Sequence, residues 1–122
     1  MKTKQYLDTA LWSSFVLSSE ETMDAMITYA DANYGCNDCS ENMIKQSQKD
    51  CDAFYAIAEE QGISLNDYNN WQHDFWLTRN RHGAGFWDGS YPKNEGKILT
   101  DLAHSFPCMD IILNRNDELD FY

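Results

Sequence analysis

This sequence predicts an α+β fold, and three features carry the expectation. Helical periodicity fills the first half, β-prone segments come late, and no linker divides the 122 residues. Chains ordered in this way pack helices on one face of an antiparallel sheet, whereas a parallel α/β design alternates strand and helix signals. The expectation is a small single domain over residues 1–122, with about four helices and an antiparallel sheet of two β-hairpins.

Leu7, Ala10, Leu11 and Ser14/Phe15 recur at helical spacing and predict a first helix over about 3–16. Ser18 and Glu21 offer a capping box, and Met23, Met26, Ile27 and Ala30 extend a second helix over about 20–31. Residues 33–40 are rich in turn formers and read as a loop whose last member, Ser40, can cap the next helix. That helix, about 41–61, carries Ile44, Cys51, Phe54, Tyr55 and Ala58 near one face, with Gly62 at the position that ends it. Ser64 opens a short helical segment running towards Trp71.

His73–Asn80 is rich in β-formers, with Phe75 and Leu77 opposite Trp76 and Thr78, and it predicts a strand. After Arg81-His82-Gly83, Ala84–Asp88 predicts the return strand of a first hairpin. Ile98, Leu99, Leu102, Ala103 and Phe106 mark a helix over about 94–106 that Pro107 stops. Met109–Asn114 and Glu118–Tyr122, joined by Arg115-Asn116-Asp117, predict a second hairpin.

Hydrophobic residues at 43% supply enough apolar material for a core. Twenty acidic residues against nine basic ones give a net charge of −11, which disfavours duplex nucleic acid and anionic lipid. Because the acids are spread along the chain, the plain reading is a solvated acidic surface; the sharper one is a surface that imitates DNA. No apolar run reaches the roughly 18 residues of a membrane span, and residues 1–6 lack the apolar core of an export signal, so a cytoplasmic protein is expected. Cys36, Cys39, Cys51 and Cys108 are then expected as free thiols.

The segment His73-Asp74-Phe75-Trp76-Leu77-Thr78-Arg79-Asn80-Arg81-His82-Gly83-Ala84-Gly85-Phe86-Trp87-Asp88 resembles the signature of a family of small proteins of tailed bacteriophages. The likeness extends to Ala10–Ser14, Asp50–Phe54 and Leu99–Ala103, and covers most of the chain beyond residue 40. It implies a phage origin and a setting in the cytoplasm of an infected bacterium, without a mechanism. The chain departs from the family at Arg81, where glycine is usual, and in the cysteine-bearing loop 35–40. Those positions are not read as shared chemistry.

Trp76, Arg79, Arg81, His82 and Trp87 form the candidate binding site. Guanidinium forks hold phosphate or carboxylate, and indole faces stack a base. The plain alternative is that the tryptophans are core and the arginines pair with acids. His73, Asp74, His82, Asp88 and His104 can in principle supply acid–base or metal chemistry, but no HExxH, GxSxG, Walker or EF-hand pattern is present. Cys36-x-x-Cys39 with Cys51 and a histidine has the ligand types of a zinc site, although a lone CxxC is a weak signal and Cys51 falls on an apolar stripe. No catalytic residue, metal or cofactor is assigned.

The reading that best fits a small, acidic, motif-poor chain is an accessory protein that binds and inhibits or redirects a host protein, with those acting on nucleic acid among the candidates. The alternatives are a nucleotide or single-stranded nucleic-acid module using the arginine–tryptophan hairpin, and a small hydrolase-like enzyme using its histidines and aspartates.

Overall fold

The computed structural model describes residues 3–17, 28–29, 35–82, 84–88, 90–116 and 118–121. Helix α1 spans Lys4–Ser13, strand β1 Phe15–Leu17, strand β2 Thr28–Tyr29, helix α2 Glu41–Glu60, helix α3 Trp71–Arg79, helix α4 Lys93–His104, strand β3 Ile111–Leu113 and strand β4 Leu119–Phe121. The class is α+β. Helices α1, α3 and α4 pack in succession, and α2 closes over α4 and β4.

Local signals account for α2. The Ser40 hydroxyl accepts from the Met43 amide at 3.0 Å, satisfying one of the donors a helix start leaves bare. Met43, Ser47, Cys51, Phe54 and Ala58 then form the buried stripe. Gly62 turns left-handed at φ 80°, and Ile63 N donates to Ala58 O at 3.0 Å, which terminates the helix as expected. The segment after Ser64 is only a 3-10 turn, Leu65–Asp67.

Two expectations are overturned at the next step. Residues 73–79 lie in helix α3 where a strand over 73–80 was predicted, and no return strand follows at 84–88, so the first hairpin does not exist. The physical reason is burial on every side. Asp74, Phe75, Trp76, Leu77, Thr78 and Arg79 are all buried, so α3 has no solvent face to generate a 3.6-residue period, and its β-formers mimic alternation. Residues 84–88 instead make a turn laid across α3, with the Phe86 amide donating to Thr78 Oγ1 at 3.1 Å. Gly85 permits that approach, because at φ 150° any Cβ would collide with Thr78 Oγ1.

The sheet order is β2-β1-β3-β4. Strands β3 and β4 form the expected second hairpin, with Ile112 opposite Asp120. Asn114 Oδ1 holds its turn by accepting from the amides of Asn116 at 2.9 Å and Glu118 at 3.0 Å. The sheet is mixed, however. Val16 pairs with Ile111 and Leu17 with Ile112 in parallel, and β1 pairs antiparallel with β2. The first helix ends at Ser13, because Ser14 is already extended at φ −118°, ψ 145° and delivers the chain to β1. Of the predicted second helix, only Thr28–Tyr29 are described, and they form β2; the rest lies outside the described residues.

One core joins the layers. Phe54 stacks on Phe75 at 4.1 Å between centroids and on Phe86 at 5.4 Å, Tyr6 meets Trp76 edge-on at 5.3 Å, and Trp76 stacks on Phe121 of β4 at 5.7 Å.

Candidate functional site

Helix α3 carries two of the five residues expected to face a ligand, Trp76 and Arg79, and both are internal. Trp76 is fully buried, its indole N–H donating to Ser13 Oγ at 2.9 Å. Arg79 is 2% exposed and its guanidinium is committed in several directions. Nη1 donates to Asp50 Oδ2 at 2.7 Å and to the Tyr6 hydroxyl at 3.0 Å. Nε and Nη2 both donate to the Pro107 carbonyl, at 3.1 and 2.8 Å. Its Cζ lies 5.5 Å from the centre of the Phe75 ring and 5.2 Å from that of Phe106. A cation this far from water needs such a set of partners. Arg79 is therefore an internal clamp tying α3 to α2, α1 and the segment after α4.

The remaining candidates scatter. Arg81 is exposed and left-handed at φ 60°, His82 is half-buried, and Trp87 is 55% exposed, which runs against the plain alternative that both tryptophans are core. The five predicted site residues thus do not share one surface. The proposed acid–base set is divided as well: His73 Nδ1 lies 3.0 Å from Thr9 Oγ1 and its ring stacks with Trp12, whereas Asp74 accepts from the Tyr91 hydroxyl at 2.5 Å. Burial pushes the Asp74 carboxyl above its usual range, against the opposing effects of the Tyr91 hydrogen bond and His73. The Tyr91 phenol is pushed up by burial and then by its bond to Asp74.

Cys51 and Cys108 are free thiols, and the Cys36 side chain lies outside the described residues. Cys51 is buried beside Asp50, and desolvation first and the carboxylate second push its thiol up, away from the reactive thiolate. Among the described residues no three histidine, cysteine or acidic side chains are placed to hold a metal ion. Nor is any helix of the described residues long and apolar enough to cross a membrane.

What the fold does assemble is a groove of about 340 Å³ between α4 and the residues Phe86, Trp87 and Tyr91 that precede it. The buried Phe86 and Tyr91 and the exposed Trp87 line it from one segment, and Lys93, Lys97 and Asp101 line it from α4. Gly96 sets the spacing, since a Cβ there would stand 2.7 Å from the Phe86 carbonyl. No family model, curated protein or solved structure matches this chain. The groove must therefore be read from its own chemistry. It combines an exposed indole, a buried phenyl ring, two cations and the Asp101 carboxylate in a chain of net charge −11.

A wider cavity of about 460 Å³ lies between α2 and β4, where Lys45 and Lys49 face Asp120. Lys45 already pairs with Glu41 at 3.1 Å, so this second site offers weaker anion chemistry. Tyr91, Lys93 and Lys97 escaped the sequence reading. The available signal was a Lys-x-x-x-Lys spacing at the start of a helix just after an aromatic turn.

Proposed function

We propose that the chain is a small acidic accessory protein that acts by binding another protein and inhibiting or redirecting it. On the phage resemblance, that partner is a host protein in the bacterial cytoplasm, with one that acts on nucleic acid among the candidates. The observation that carries the reading is the contrast between Arg79 and Trp87. Of the five candidate binding residues, Arg79 is sealed inside the fold, while Trp87 stands 55% exposed. Aromatic anchors beside a groove are a common property of protein interfaces, where they supply much of the binding energy. The nucleotide alternative loses two of its five residues to the interior, and the charge of −11 repels a polyphosphate.

The test is affinity purification of the tagged protein from phage-infected cells, with Trp87→Ala in parallel. One host protein should be recovered stoichiometrically with the parent and depleted with the variant. Recovery of no protein above background by the parent would reject the reading.

A further inference from the structure

Lys93 and Lys97 occupy an unfavourable arrangement for a helix left to itself. They lie four residues apart, where like charges repel, and both fall in the first two turns of α4, where the positive end of the helix dipole disfavours cations. Among the described residues neither makes an ion pair. The nearby Glu95 does not relieve them directly, since its carboxylate accepts from the Tyr68 hydroxyl at 3.2 Å. Asp101 lines the groove one turn beyond Lys97, so two cations face one carboxylate's worth of opposing charge there.

Resting on the protein-binding reading above, we infer that this groove takes an acidic peptide segment of the partner, seating one apolar side chain on Phe86 and Trp87 and its carboxylates against Lys93 and Lys97. Charge complementarity selects this occupant. A volume of about 340 Å³ admits a side chain or two, and a segment with acids flanking an apolar residue matches the two walls. The walls are set before binding, because Gly96 brings the Phe86 turn against α4 and Asp74 fixes the Tyr91 hydroxyl. Preorganisation of this kind lowers the entropic cost of association. The acidic remainder of the chain repels the same segment at long range, so recognition is a contact property of the groove.

The probe is a short fluorescein-labelled peptide of aspartates and glutamates around a central tryptophan, titrated with the full chain and read by anisotropy. Saturable binding is expected, weakened at least about tenfold by Trp87→Ala and by the double variant Lys93→Glu/Lys97→Glu, and similarly by alanine in place of the peptide tryptophan. All four positions bearing on this test are exposed or on the peptide, and matching circular dichroism of the variants excludes misfolding. The inference is overturned if the parent shows no saturable binding, or if a lysine-rich peptide or an oligothymidylate binds as well. It is overturned equally if the groove variants bind unchanged, or if sedimentation shows the chain self-associating through Trp87. The two readings fail separately. A host protein retained by Lys93→Glu/Lys97→Glu sinks the groove and spares the partner, whereas peptide binding without a recovered partner does the reverse.

Discussion

Replacing Arg79 with methionine tests whether this residue is a clamp or a displaced binding group. The substitution keeps much of the side-chain bulk and deletes the guanidinium, removing the charge partner of Asp50, which keeps only the Gln46 amide, and the donors to the Tyr6 hydroxyl and the Pro107 carbonyl. Asp50 is only 8% exposed, so water cannot replace the lost partner fully. Removing one member of a buried ion pair costs about 3–5 kcal/mol, whereas an exposed pair is worth about 1 kcal/mol or less. In urea, with a slope of about 1.5 kcal/mol per molar for a domain of this size, the larger cost moves the unfolding midpoint down by about 2–3 M. Tryptophan fluorescence follows the transition, because Trp76 stacks in the same core. Adding Asp50→Asn should recover part of the loss by removing the stranded carboxylate, while Arg79→Lys should recover little, since one ammonium cannot replace the planar fork. A cost below about 1 kcal/mol for Arg79→Met would refute the clamp and reopen Arg79 as a site residue.

Other perturbations follow from the same geometry. Gly96→Ala pushes a methyl against the Phe86 carbonyl and should cost about 1–3 kcal/mol in urea unfolding, through displacement of the turn at 84–88; an unchanged midpoint would contradict the close packing. Arg81→Gly relieves a left-handed backbone at φ 60° and should raise the melting temperature, as long as the relief exceeds glycine's added chain entropy; a lower melting temperature would argue against strain there. Asp74 carries a folded-state pKa raised above its ordinary 3.8, with Tyr91, His73 and Asp88 around it. The native state therefore holds that proton more tightly than the unfolded one, and stability is lost as pH rises from about 3.8 through the raised value. Asp74→Asn does not titrate and keeps an oxygen for Tyr91, so its stability relative to the parent should climb over that window. A difference that stays constant from about pH 4 to 7 would be inconsistent with the shift.

The parts of the fold legible in the sequence were those that local chemistry determines. Ser40 and Gly62 mark the ends of α2 by properties of single residues, and Asn114 to Glu118 make a turn by the reach of one side chain. Helix α3 was illegible because a segment buried all round loses the periodicity by which helices are read. The Arg79–Asp50 pair joins residues 29 positions apart, and nothing in either neighbourhood announces the other. Trp87 shows the same limit at the candidate site. Its residue type suggested burial, but Gly85 and Gly96 fix the turn so that Phe86 enters the core and its neighbour points out.

The parallel seam between β1 and β3 sets an order of events during synthesis. These strands are the middle pair of the sheet, and they join residue 16 to residue 111. Closing so large a loop is entropically slow, and it cannot begin until β3 has left the ribosome. Among the described residues, a nascent chain stopped before that point holds the four helices and the short β1–β2 ribbon, without the β3 partner of β1. An unpaired strand edge is a template for other chains. Premature termination late in the message should therefore give aggregating fragments where release of the finished chain gives a folded one.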